Sequence, residues 1–259
     1  MVAHPLKVVL LDLDGTLTES APGILASVRK TFEAIEMPVP DEHELQQFIG
    51  PAIVDSLKRN HVPQDKMPLA VDTYRSYYSD RPAFDDPNDP GAKVPGKLVN
   101  VMYPGIIDQL RRLRSSGYYL AIATCKPEYQ AIPICEHFHL SEEVDGIYGA
   151  SRDMTRLNKD QVIRYAFESI GFDESVGDVA IMVGDRWTDV DGANAVGIAS
   201  IGCNWGYANP GELKEHGVTM TIDAVDDLST ATDSLFSSIS RSGKDDTRNM
   251  ADKVLTEQE

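Results

Sequence analysis

The stretch Lys7-Val8-Val9-Leu10-Leu11-Asp12-Leu13-Asp14-Gly15-Thr16-Leu17-Thr18 decides the fold and points to the chemistry. Its first five residues make an apolar run that suits a strand buried on both faces of a sheet. Burial does not account for two carboxylates in alternate positions at the end of that run. Residues two apart on a strand face the same side, so Asp12 and Asp14 can converge on one site. Gly15 lets the chain turn away, and Thr16 supplies a hydroxyl and an amide. The plain alternative is a polar strand-to-helix turn, which Asp and Gly also favour.

Working outward, helical spacing dominates from Ser20 to Ser79, where Gly23 to Ile35 and Leu69 to Tyr78 carry apolar residues three and four apart. This block reads as an all-helical insert. From Arg81 to Lys97 the composition turns to Pro, Asp and Gly, which favours an extended loop or linker. An alternation of helix and strand then resumes. A helix is predicted over Ile106 to Leu113, with strands over Tyr118 to Thr124, Gly146 to Tyr148, Val179 to Val183, Ile198 to Gly202 and Thr219 to Ile222. Further helices are predicted over Lys159 to Ile170 and after Asp189. The rhythm predicts an α/β protein with a doubly wound parallel sheet, whose carboxyl ends form the site. Residues 1–19 and 98–240 then make the core, 20–97 a small helical cap, and 241–259 a polar, disordered tail.

The chain has 259 residues, 42% hydrophobic and 25% charged, an ordinary composition for a soluble globular protein. Its net charge of −17 argues against a sequence-independent hold on nucleic acid or an anionic membrane, because both need a positive surface field. The first strand starts within a few residues of Met1, leaving no room for a signal peptide, and no apolar run is long enough to span a bilayer. A cytoplasmic location is expected. Cys125, Cys135 and Cys203 are odd in number and widely spaced, so reduced thiols are the default.

Asp12 is placed to act as a nucleophile, since a carboxylate can attack phosphorus and divide one difficult displacement into two easier ones. Asp185, in Val183-Gly184-Asp185-Arg186-Trp187-Thr188-Asp189, again ends an apolar strand and suits a hard cation such as Mg²⁺, with Asp189 one helical turn on. Helix capping is the structural alternative for that pattern. Thr124 ends a third strand, in Ala121-Ile122-Ala123-Thr124-Cys125-Lys126-Pro127, where its hydroxyl and nearby amides can hold a phosphoryl oxygen, or simply make a turn. Lys159 can neutralise the carboxylates and the phosphate, although a solitary Lys is ordinarily solvated. Lys126 and Arg156 belong near the site if Thr124 and Lys159 do. Cys135, His137 and His139 resemble a zinc cluster, but their spacing turns His137 away from the other two on a helix. Trp187 and Trp205 read as packing or rim residues.

These four segments, taken in order, resemble the haloacid dehalogenase superfamily of phosphohydrolases over roughly Lys7 to Asp227. Asp12 and Asp14 match its first motif, Thr124 its second, Lys159 its third, and Asp185 with Asp189 its fourth. The resemblance implies a Rossmann-like core and assigns catalysis to Asp12, Asp14, Thr124 and Lys159. Asp12 becomes the nucleophile that carries an aspartyl-phosphate, and Asp14 the general acid and base. It implies Mg²⁺ held by Asp12, the Asp14 carbonyl and Asp185, supported by Asp189. Asp14 also sets the chain apart from the dehalogenase branch.

Within the superfamily, Phe48-Ile49-Gly50-Pro51, Thr124-Cys125-Lys126-Pro127, Gly184-Asp185-Arg186 and Trp205-Gly206-Tyr207 are most similar to phosphoglycolate phosphatase-like and 5′-nucleotidase-like members with a helical cap. Ala52 and Glu19 depart from that group's pattern, which leaves the substrate open. The expected substrate is a small phosphorylated metabolite, met by Thr16, Cys125, Lys126, Phe48, Gly50 and Pro51, with no nucleic-acid polymer and no membrane as partner. A phosphoglucomutase-type phosphoryl transferase would use the same carboxylates, although Thr16 stands where mutases often carry Val. A catalytically silent binding protein is the third reading, and it sits poorly with a full set of motif residues.

Overall fold

The computed structural model describes residues 5–49, 53–153 and 155–241. Gly50 and Pro51 lie outside the described residues, as does the tail from 242 to 259. In chain order the strands are β1 (Lys7–Leu11), β2 (Thr18–Glu19), β3 (Phe84–Asp85), β4 (Lys93–Val94), β5 (Val101–Met102), β6 (Tyr119–Pro127), β7 (Gly146–Ala150), β8 (Val179–Gly184), β9 (Ala199–Cys203) and β10 (Met220–Ile222). The helices are α1 (Ala21–Ala34), α2 (Glu42–Gln46), α3 (Ile53–Arg59), α4 (Met67–Arg75), α5 (Ile106–Ser115), α6 (Glu128–His137), α7 (Lys159–Ile170), α8 (Trp187–Val196) and α9 (Glu212–Glu215), followed by α10 over 228–241.

The apolar run of β1 is buried because it lies inside a parallel sheet of order β10-β9-β8-β1-β6-β7, with Leu10 opposite both Ala121 and Met182. Alternate side chains feed opposite faces. Val9 and Leu11 pack with Leu110, Leu113, Ile134, Leu235 and Phe236, from α5, α6 and α10. Val8 and Leu10 pack with Val162, Ile163, Ala166 and Ala193, from α7 and α8. The sheet is therefore doubly wound, as the alternation predicts. The chain leaves β1 for β6 and β7 on one side and returns to β8, β9 and β10 on the other. That reversal puts a topological switch point, the place where such sheets ordinarily bind ligands, at the carboxyl ends of β1, β6 and β8.

Helices α1 to α4 form the cap and close around a core of their own, which includes Val28, Phe32, Leu45, Phe48, Leu57 and Tyr78. Phe32 and Phe48 meet edge to face at 6.1 Å. The stretch from Arg81 to Lys97, expected as an extended loop, carries the β3–β4 hairpin instead. It runs into a tight turn, Gly96–Leu98, that lies against α1 so closely that a Cβ on Gly23 would fall 1.8 Å from the Gly96 carbonyl oxygen. The two crossings between cap and core are tied to each other. Thr18 pairs with Met102 and Glu19 with Val101 in the β2–β5 ladder, and the Asn100 amide donates to Thr18 Oγ1 at 3.1 Å.

Candidate active site

Two acidic residues of the site, Asp12 and Asp185, stand where a parallel strand ends. Asp12 follows β1, and its backbone N–H donates to the Val183 carbonyl at 2.9 Å, which locks the ends of β1 and β8 together. Asp185 follows β8 and is fully buried; its Oδ1 accepts from Thr16 Oγ1 at 3.1 Å and its Oδ2 from the Tyr207 N–H at 2.7 Å. Glycine makes room for it. A Cβ on Gly15 would lie 2.2 Å from Asp185 Oδ2, and one on Gly206 would lie 2.2 Å from Asp185 Cβ. Gly15 also takes a positive φ of 83°, which suits the turn away from β1.

Asp189 serves two purposes. Its Oδ2 accepts from the Arg186 N–H at 3.0 Å at the start of α8, so the capping alternative is real, while its Oδ1 lies 2.7 Å from Lys159 Nζ. Lys159 opens α7, whose start is fixed by Gln161 Oε1 accepting from the Asn158 N–H at 3.1 Å. The buried Lys159 ammonium donates to the Ala123 carbonyl at 2.8 Å and lies 2.9 Å from Asp12 Oδ1. Burial alone would push this ammonium down, but the charges of Asp12 and Asp189 reverse that and hold it above the usual lysine range.

Carboxylate oxygens of Asp12, Asp185 and Asp189 lie within 4.8 Å of one another. Burial first, then the charges of Asp189 and Asp12, push the Asp185 carboxyl well above the usual range. Of the three buried carboxylates, Asp12 and Asp189 share the Lys159 ammonium and Asp185 has no ion pair among the described residues, and a hard divalent cation is the counter-charge that such an oxygen donor set fits.

The remaining sequence candidates divide. Asp14 lies outside that cluster: Oδ2 pairs with Lys126 Nζ at 2.8 Å, and Oδ1 has no hydrogen-bond partner among the described residues. Thr124 is buried and its Oγ1 accepts from the Lys126 N–H at 3.2 Å. The Thr16 hydroxyl, assigned to substrate from the sequence, is engaged by Asp185. Phe48 likewise spends its ring on the cap core rather than on an open cleft. Cys125 is half-buried, and burial pushes its thiol up to about 11 although Lys159 pulls the other way, which disfavours the thiolate.

Two aromatic residues bring together parts the motifs leave separate. Tyr207, beyond β9, donates its N–H to Asp185 and accepts on its hydroxyl from the Ala21 N–H at the head of α1, at 3.0 Å. Tyr78, in the cap, accepts from Lys126. The Trp-Gly-Tyr phrase marks Tyr207 only as part of a loop, and Tyr78 reads from its spacing as a core aromatic. Trp205 Nε1 donates to the Thr16 carbonyl at 3.2 Å, a packing role.

A sequence model of the family described as haloacid dehalogenase-like hydrolase matches residues 9–203. The chain belongs to that family. A 5′-nucleotidase of Pseudomonas aeruginosa is 32% identical over 212 residues, covering 82% of this chain and 88% of that protein. A tyrosine-protein kinase of Mycobacterium tuberculosis, PtkA, is 33% identical over 227 residues, covering 87% of this chain and 72% of that protein. The crystal structure of a predicted phosphatase from Clostridium acetobutylicum superposes with a TM-score of 0.73 at 34% identity, covering 88% of this chain and 98% of that one. Like the family it belongs to, the chain is an enzyme of the phosphatase type. Among the described residues no helix is long and apolar enough to cross a membrane.

Proposed function

We propose that this haloacid dehalogenase-like hydrolase is a Mg²⁺-dependent phosphomonoesterase acting on a small metabolite of the phosphoglycolate or nucleoside 5′-monophosphate type, through an aspartyl-phosphate on Asp12. The observation that carries the reading is the gathering of Asp12, Asp185 and Asp189 within 4.8 Å of one another at the switch point of the sheet, with Lys159 paired to Asp12 and Asp189. In this scheme residues 20–97 cap a core made of 1–19 and 98–240.

Asp12 attacks phosphorus opposite the leaving oxygen, so its bond to phosphorus forms as the ester bond breaks. Asp14 passes a proton to the departing oxygen. In the second half it takes a proton from the water that attacks the aspartyl-phosphate, which returns phosphate and a free Asp12. Lys159 holds Asp12 in its attacking position and offsets the charge that gathers there. Thr124 lies in β6 just before its register with β7 shifts, and there its hydroxyl can steady a phosphoryl oxygen. Mg²⁺, when held by Asp12, the Asp14 carbonyl and Asp185 with Asp189 behind them, supplies charge neutralisation and orientation for the phosphoryl oxygens.

The relative named a tyrosine-protein kinase gives a second reading, in which a tyrosine accepts the phosphoryl group in place of water. A screen separates them. Phosphate release is measured over nucleoside monophosphates, phosphoglycolate, sugar phosphates and phosphotyrosine peptide, beside an arm with ATP and an unphosphorylated tyrosine peptide. Hydrolysis of a small monoester with Mg²⁺ is expected. Labelling of the peptide from ATP with no monoester turnover would overturn it.

A further inference from the structure

The proposed machinery leaves one feature without a task. At the end of α4 the cap widens into a π-turn over Ser76–Asp80, an irregularity that is frequent at functional sites. Tyr78 at its centre is buried, stacked on Tyr74 with ring centroids 5.3 Å apart. Its hydroxyl accepts a hydrogen bond from Lys126 Nζ, and that ammonium also pairs with Asp14 Oδ2 at 2.8 Å. The same turn is fastened to the core a second time, where Gln130 Nε2 donates to Ser79 Oγ at 2.9 Å. Behind it stands Gly96, where a Cβ would lie 3.2 Å from the Tyr78 Cα. The turn is therefore seated on the core through two polar contacts, one of which reaches the residue assigned to protonate the leaving group.

Donor counting shows what such an arrangement can bind. A lysine ammonium has three protons, and two are used here, on Asp14 and on Tyr78. The Tyr78 oxygen accepts from Lys126, and its own proton has no acceptor among the described residues. One N–H and one O–H thus remain on two atoms hydrogen-bonded to each other, beside Asp14. Whatever carries the ester oxygen must lie next to Asp14, so its first substituent meets these two donors. A carboxylate has two oxygens and can use both; a methyl group at the same place would leave both buried donors unpaired.

We propose that Tyr78 and Lys126 form a subsite for a carboxylate borne one carbon from the ester oxygen, and that Tyr78 is the cap residue that selects acid phosphates. The proposal rests on the phosphomonoesterase reading and narrows its substrate class.

The test compares kcat/KM for phosphoglycolate with that for ethyl phosphate, which replaces the carboxylate by methyl and leaves the ester unchanged. Wild type is expected to prefer phosphoglycolate. Tyr78→Phe keeps the ring and its stacking and removes the donor, so the preference should fall about tenfold, chiefly through KM on phosphoglycolate. Lys126→Gln, a second variant that leaves Tyr78 in place, should lower it further, and Lys126→Arg should restore part of it. Equal losses on both substrates in a folded variant would mean a purely structural role and would overturn the proposal. So would a wild type without preference between the two, although hydrolysis of either would leave the phosphomonoesterase reading standing. Failure to hydrolyse any monoester in the wider screen would remove that reading instead.

Discussion

The Lys159 ammonium lies 2.9 Å from Asp12 Oδ1, although one residue follows the first strand and the other opens a helix far along the chain. The contact is made inside the protein, with the Lys159 side chain 2% exposed. Breaking a buried ion pair by removing one partner typically costs about 3–5 kcal/mol, because the other charge stays behind unpaired.

Lys159→Met should accordingly lose about that much stability in urea denaturation, since Asp12 and Asp189 would face each other without their shared cation. Added Mg²⁺ should recover part of the loss, because a divalent ion at the same carboxylates supplies a replacement counter-charge. A variant as stable as wild type and indifferent to Mg²⁺ would show that the three carboxylates do not act as one charged cluster.

Gly206 is the second point of weakness. Its missing side chain makes room for Asp185, with a Cβ there placed 2.4 Å from Oδ2. Gly206→Ala should therefore displace the carboxylate, costing about 1–3 kcal/mol by overpacking and reducing Mg²⁺ affinity and turnover together. Thermal melts with and without Mg²⁺ provide the check. An unchanged melting temperature with an unchanged Mg²⁺ response would contradict the cradle.

That Asp12, Asp185 and Lys159 lie together is partly legible in the chain, and the reason is physical. Asp12 and Asp185 break continuous apolar runs, and a carboxylate ending a buried strand has no packing purpose, so it stands out. Lys159 was legible only in company, since nothing local shows that a lysine will be buried. The helix over 228–241 leaves little trace in the sequence, because Ser and Thr interleave its apolar positions. Leu228, Ala231, Leu235 and Phe236 nonetheless cover one face of the sheet. Tyr78 is hidden for the opposite reason: its spacing fits an ordinary helix, and the π-turn that aims its hydroxyl at Lys126 leaves no mark on that pattern.

Phe48 shows where the chain misled. An apolar residue ahead of Gly50 and Pro51 suggested a loop reaching down to substrate, but its ring is 3% exposed and packs on Phe32. Phe48→Ala should behave as a cavity mutation, destabilising by about 3–5 kcal/mol with little selective effect between substrates once the protein is folded. A large change in substrate preference at unchanged stability would return Phe48 to the site.

Exhaustive chelation should abolish phosphate release and Mg²⁺ should restore it, whereas Ca²⁺ should bind and inhibit. Asp12, Asp185 and their neighbours converge within 4.8 Å, a compact set of oxygens better matched to a small octahedral ion than to a larger, loosely coordinated one. Full activity after chelation would remove the metal from the account.

The central claim is that Asp12 accepts the phosphoryl group, and rapid acid quench with mass spectrometry of the Asp12 peptide tests it most directly. Wild type mixed with a hydrolysed substrate and Mg²⁺ should carry one phosphoryl group on Asp12 within the first turnover. Asp12→Asn should fold normally, carry none, and lose turnover by on the order of 10⁴-fold or more. Steady phosphate release by wild type with no label on Asp12 at any quench time, together with near-normal turnover by a folded Asp12→Asn protein, would contradict the claim.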